Sequence, residues 1–117
     1  MGKKIINTNK SPAPIGPYNQ AILKGNTLFI SGQIALDPKS MELNNKTITD
    51  ETHQVMINLK NILNEAKMDF SDVVKSSIFL SDMSLFKSVN EVYGSYLTSG
   101  NEPARETIAV KTLPLNV

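Results

Sequence analysis

The chain has 117 residues, 40% of them hydrophobic and 20% charged, the proportions of one ordinary globular domain with a modest core. Twelve basic against eleven acidic residues leave a net charge of +1, no footprint for nucleic acid or an anionic membrane as the main partner. No cysteine and a single histidine, His53, exclude disulfides, thiolate nucleophiles and zinc–cysteine clusters and leave a Ser-His-Asp triad without support.

At the start, Met1-Gly2-Lys3-Lys4 reads as a solvated terminus before a strand-like run at Ile5-Ile6. No apolar stretch reaches the length of a signal peptide core or a membrane span, which suits a cytoplasmic setting. Ser11 to Pro17, with Pro12, Pro14, Gly16 and Pro17, reads as an extended segment pinned across a surface. Tyr18 to Leu23 suits a strand, Gly25-Asn26 a two-residue hairpin turn, and Thr27 to Ile34 the return strand. Asp37-Pro38-Lys39-Ser40 is a turn. A helix is expected from about Thr49 to Lys67, capped by Thr49 or Asp50, with Val55, Leu59, Ile62, Leu63 and Ala66 as its apolar stripe. Val73 to Leu80 is the next strand. Asp82 or Ser84 caps a second helix to about Thr98, whose stripe is Phe86, Val89, Tyr93, Tyr96 and Leu97. Pro103 to Thr112 closes the series as a strand before Leu113-Pro114.

The order ββ-α-β-α-β predicts one α+β domain over residues 1–117, a mixed sheet with both helices on one face. Leu28-Phe29-Ile30 and Ile78-Phe79-Leu80 are apolar on both faces of their strands, whereas a sheet with one wet face alternates. Two helices cover one side, so the other requires a partner, and self-association is the simplest source.

The basic residues are eleven lysines and one arginine, Arg105. Lysine serves wherever surface charge alone is needed, so the exception marks a position that requires the planar, bidentate guanidinium fork.

Three segments together resemble the RidA (YjgF-type) family of reactive intermediate deaminases: Ala13-Pro14-Ile15-Gly16-Pro17-Tyr18-Asn19-Gln20-Ala21, then Ile30-Ser31-Gly32-Gln33-Ile34, then Pro103-Ala104-Arg105-Glu106-Thr107 with Leu113-Pro114 after it. The resemblance implies a chorismate-mutase-like fold, a homotrimer around a central barrel of sheets, and clefts between subunits. It implies hydrolysis of enamine and 2-imino acid intermediates to 2-keto acids and ammonia, with no cofactor and no metal. Arg105 falls on the family arginine that grips the substrate carboxylate; Tyr18, Ser31, Gly32, Asn90 and Thr107 fall on positions lining the same cleft.

The residue chemistry agrees with that assignment. Hydrolysis of a C=N carbon beside a carboxylate requires the substrate held, a water placed over the carbon, and a proton for the departing nitrogen. Arg105 supplies two parallel charge-assisted bonds, Gly32 lets backbone groups approach a ligand, and Thr107 and Tyr18 donate or relay hydrogen bonds. Strand alternation places Arg105 and Thr107 on one face, expected to be the face turned away from the helices.

Three features depart from the family pattern. Family members continue past the Leu-Pro with a strand carrying a water-positioning glutamate, a role no residue here takes; an incomplete record is the favoured explanation for the stop at Val117. Glu106 stands where a small hydroxyl residue is common and is expected at the solvated rim, and the loop before Pro103 is short. Against the family role, Arg105 has the plainer reading of a salt bridge with Glu91, Glu102 or a partner subunit, Tyr18 of simple packing, Asn90 of a helix-surface amide, and His53 of a surface residue. The alternative functions are a non-catalytic binder of small carboxylates or keto acids, favoured by the missing glutamate, and an endoribonuclease or translation inhibitor. Near-neutral charge with one histidine and one arginine argues against the last.

Overall fold

A computed structural model describes residues 2–117. Strands β1 (Lys4–Ile6), β2 (Ala21–Lys24) and β3 (Thr27–Ile30) are followed by helix α1 (Ile48–Glu65), strand β4 (Lys75–Leu80), helix α2 (Phe86–Ser95) and strand β5 (Ala104–Ala109). The class is α+β, as expected, but the described strands form two sheets rather than one: antiparallel β1-β2-β3 and parallel β4-β5. The parallel pair has to be joined by a crossover, and α2 supplies it.

Local chemistry explains most boundaries. The β2–β3 hairpin turns on Gly25-Asn26, with Lys24 opposite Thr27 and Gly25 at φ +58°, a conformation that costs glycine nothing. Both hairpin strands are shorter than expected, because Ser31 to Ile34 leaves the ladder. Asp37 Oδ1 accepts from the amides of Lys39 and Ser40, forming the expected turn. Helix α1 is capped by Thr47, whose Oγ1 accepts from Asp50 N at 3.0 Å, two residues before the expected cap. Asp82 caps a 3-10 turn (Met83–Leu85) that runs directly into α2.

The core lies between α1 and the antiparallel sheet: Ile6, Ala21 and Ile62 are buried together, with Leu23, Leu28, Ile30 and Ala66 packed around them. Of the expected α1 stripe, Ile62 and Leu63 are fully inside; Met56, Thr52, Gln54 and Asn58 are buried as well. The helix is thus covered on more than one face, by α2 and by the 31–44 segment besides the sheet. In α2 the buried residues are Val89 and Val92, and Phe86 of the expected stripe is exposed.

Buried amides hold the irregular segments. Gln20 Nε2 lies within hydrogen-bonding distance of the carbonyls of Thr8, Ser11 and Pro12, and its Oε1 accepts from Thr8 N at 2.7 Å. Asn58, with no exposed surface, donates to the carbonyls of Ile34 and Leu36 and accepts from Gln54 Nε2. Its own backbone carbonyl accepts from Ser11 Oγ at 2.7 Å. The start of the Pro-rich segment is indeed pinned, by the side-chain amide of Gln20 and the backbone carbonyl of Asn58.

The face of each sheet turned from the helices carries exposed apolar side chains, beside the polar group Lys75, Ser77 and Glu106 on β4-β5. Ile5, Ile22 and Phe29 stand in register across β1-β2-β3, and Phe79 stands opposite Ile108 across β4-β5. Phe29 is 62% exposed, Phe79 48% and Ile108 47%.

Candidate active site

On β5, Arg105 and Thr107 are half-buried while Ala104, Glu106 and Ile108 are exposed. The shared face of Arg105 and Thr107 is therefore the helix side, and the expectation that it turns away from the helices is wrong. Alternation fixes which residues share a face; the docking of α2 decides which face is covered.

Helix α2 presents Phe86, Asn90 and Tyr93 at i, i+4 and i+7, one stripe of the helix, and all three meet Arg105. The guanidinium Cζ lies 5.2 Å from the Tyr93 ring centroid and 5.5 Å from that of Phe86, within cation–π range. Arg105 Nη1 donates to Asn90 Oδ1 at 2.7 Å. The Tyr93 hydroxyl is 2.6 Å from Ser76 Oγ on β4. An open groove of about 270 Å³ passes the guanidinium, walled by Asn90, Tyr93, Gly94, Leu97, Glu102 and Pro103. A Cβ on Gly94 would meet nothing within 4 Å, so this wall is open space.

No carboxylate pairs with Arg105 among the described residues. Glu102 accepts from Gly100 N, and Glu106 pairs with Lys75 and Ser77 on the opposite face, as its rim position predicts. The hydrogen bond from Lys75, then that from Ser77, holds the Glu106 carboxyl below its usual range. Thr107 Oγ1, on the face of Arg105, is buried with no hydrogen-bond partner; such groups cost free energy unless something external satisfies them.

The remaining expected residues lie elsewhere on the chain. Tyr18 and Gly32 line a small depression with Pro12, Ile15, Gln33 and Leu36 that shares no residue with the arginine groove. Tyr18 OH accepts from Ile15 N at 3.2 Å. Ser31 Oγ donates to Asn19 O at 2.6 Å and Ser31 N to Gln20 O at 2.9 Å. One chain thus brings Arg105, Asn90 and Thr107 to one side and Tyr18, Ser31 and Gly32 to another.

His53, expected as a surface residue, is half-buried. Its Nδ1 lies 2.8 Å from Tyr96 OH and its ring meets that of Tyr96 edge-on; burial pushes the Tyr96 phenol up. His53 lines neither depression. Among the described residues no group of three or more His, Cys, Asp or Glu side chains is placed to hold a metal, and no helix is long and apolar enough to cross a membrane. Sequence reasoning missed Phe86 and Tyr93 as partners of Arg105, and Ser76 with them. Their signal was the 86/90/93 spacing, which was absorbed into an apolar stripe.

The fold is that of a known class: the family described as Endoribonuclease L-PSP matches residues 8–117, and the chain belongs to it. The mouse protein named 2-iminobutanoate/2-iminopropanoate deaminase is 45% identical over 112 residues, covering 96% of this chain and 82% of its own length. Reactive Intermediate Deaminase A, chloroplastic, of Arabidopsis thaliana is 42% identical over 114 residues, covering 97% of this chain and 60% of its own. The crystal structure of RidA from an Antarctic Psychrobacter superposes with a TM-score of 0.92 at 40% identity, over 97% of this chain and 90% of that one.

Proposed function

We propose that the protein hydrolyses 2-imino acids and their enamine tautomers to 2-keto acids and ammonia, without a cofactor, in the cytoplasm. The observation that carries this reading is Arg105 itself: the sole arginine, held between two aromatic rings and one neutral amide, facing an open groove with no acidic partner. A guanidinium so placed suits a planar carboxylate. With the carboxylate anchored, the adjacent C=N carbon lies in the groove. Water adds to that carbon, one of its protons passes to nitrogen, and the carbinolamine collapses to keto acid and ammonia. Thr107 shares the strand face of Arg105 and carries the hydroxyl assigned to relay the proton.

The second half of the cleft comes from another copy in a homotrimer, so that Tyr18, Ser31 and Gly32 of one subunit face Arg105, Asn90 and Thr107 of the next. The apolar outer faces at Phe29, Phe79 and Ile108 support association of copies. The names of the mouse and Arabidopsis relatives support the reaction class.

One observation favours a second reading, a binder of small carboxylates. The carboxylate that lines the groove, Glu102, is held by the Gly100 amide rather than poised over Arg105 to take a proton from water. The endoribonuclease description of the family is less well supported, since the groove holds one arginine and His53 is engaged by Tyr96.

The deciding experiment generates 2-iminopropanoate or 2-iminobutanoate in situ with an amino-acid oxidase, with semicarbazide as competing trap. Wild type should divert imine to keto acid and Arg105→Ala should not. Binding of 2-oxobutanoate by wild type without turnover would establish the binder instead.

A further inference from the structure

Ser76 takes no part in the chemistry above, yet it stands on β4 directly opposite Arg105 on β5. Its hydroxyl meets that of Tyr93 at 2.6 Å, and the Tyr93 ring lies 5.2 Å from the Arg105 Cζ. The ring is therefore held at both ends, by the α2 backbone through Cβ and by the sheet through its phenol oxygen. An untethered aromatic side chain swings about χ1 and χ2; one tied at its tip does not.

We propose that Ser76 and Tyr93 are positioning residues, a tethered ring that sets the plane of the Arg105 fork. The single bond to Asn90 fixes one nitrogen of the guanidinium and leaves rotation about that contact open. A cation rests preferentially over the face of an aromatic ring, so a ring that cannot swing selects one orientation of the fork. Bidentate recognition of a carboxylate depends on that plane, and a fork already oriented loses less freedom on binding. The consequence for substrate rests on Arg105 being the carboxylate anchor; the tether itself does not require it.

Arg105 is the only arginine, so an arginine adduct reports on it alone. The experiment measures the phenylglyoxal labelling rate at Arg105 by peptide mapping, which separates it from any adduct at the α-amino terminus, for wild type, Tyr93→Phe, Tyr93→Leu, Ser76→Ala and Ser76→Thr, with KM and kcat for 2-iminobutanoate alongside. Ser76→Ala and Tyr93→Phe, which cut the tether and keep the ring, should label several-fold faster. Tyr93→Leu should be faster still, with KM raised about 5- to 30-fold and kcat changed far less. Ser76→Thr, which keeps the hydroxyl, should return both quantities to wild-type values. A wild-type labelling rate in Ser76→Ala would overturn the proposal, as would failure of Ser76→Thr to restore it. The serine pair leaves the ring in place and decides the matter even where Tyr93→Leu does not fold. Were the wild type to prove unable to hydrolyse the imine or bind 2-oxobutanoate, the functional reading would fall, while the labelling rates would still decide the tether.

Discussion

Asn90 Oδ1 accepts the Nη1 hydrogen of Arg105 at 2.7 Å, and it does so with a neutral oxygen. A carboxylate here would orient the guanidinium equally well but would also occupy its charge. The amide orients without neutralising, which leaves the positive charge for a ligand. Asn90→Ala should therefore raise KM about 5-fold, the worth of one hydrogen bond. Asn90→Asp should raise it more, about 10-fold or beyond, because an ion pair then competes with substrate. Steady-state kinetics on both variants check the ordering; an Asp variant better than the Ala variant would contradict it.

Thr107 gives the opposite balance between stability and activity. Its buried hydroxyl has no partner, so replacement by the isosteric valine should leave stability unchanged or raise it by about 1 kcal/mol. The same change should slow imine hydrolysis if the hydroxyl relays a proton. Urea unfolding and kcat, measured together, test the pair of outcomes. Full activity in Thr107→Val would remove the relay role.

Asn58 is expected to be among the most sensitive core positions. Asn58→Ala leaves the carbonyls of Ile34 and Leu36 and the Gln54 amide without their partners in a buried site, a loss of about 3 kcal/mol or more. The urea midpoint should fall with the slope preserved. Because Asn58 anchors the segment that follows Gly32, activity should decline before global unfolding does.

Acid stability should follow the aspartate caps. Hydrogen bonds from the Ser40 amide to Asp37, from the Ser71 hydroxyl to Asp69 and from the Ser84 amide to Asp82 hold all three carboxyls below their ordinary value. A folded pKa below the unfolded value of about 3.9 gives stability that is fully present above that value and lost as pH falls through the folded one. A triple Asp→Asn variant keeps capping acceptors that do not titrate. Its melting temperature should fall less steeply than that of wild type between pH 5 and pH 3. Parallel curves would show that these caps do not govern the acid limb.

The outer sheet faces predict assembly. Phe79→Lys combined with Ile108→Lys places two charges on neighbouring strands where apolar side chains now stand exposed. Light scattering should show the wild type as a trimer and the double variant as a smaller species. The double variant should also lose imine hydrolysis, since Tyr18, Ser31 and Gly32 would no longer be supplied to Arg105. A monomeric, active double variant would separate the cleft from the oligomer.

Much of the fold was legible because local chemistry writes it: Gly25-Asn26 for the hairpin, Asp37 for its turn, Asp82 for the entry to α2, Ile62 and Leu63 for the buried stripe. The amides of Gln20 and Asn58 were not legible. Polar side chains become core residues only when irregular backbone from far along the chain brings carbonyls to them, and no periodicity encodes that. The candidate site divided in the same way. Arg105 stood out as the single arginine, and Asn90 by resemblance, whereas Tyr93 and Ser76 look apolar or trivial until α2 is docked. The side of the sheet on which Arg105 lies was misjudged because two sheets, with α2 crossing one of them, replaced the single sheet expected.

The parallel pairing of β4 with β5 bears on the order in which the molecule assembles. The β2–β3 hairpin closes over two residues, a local event on the microsecond scale. β4 and β5 meet only after residues 81–103 have been looped back, with the entropy of that closure spent before the first ladder bond forms. The cradle of Arg105 draws on β4, α2 and β5 at once, so it comes into being in this slower, non-local step. Pulsed hydrogen exchange during refolding should accordingly protect the amides of Ile22 and Phe29 before those of Ile78 and Ile108, making the arginine site a latecomer in the life of each newly folded chain.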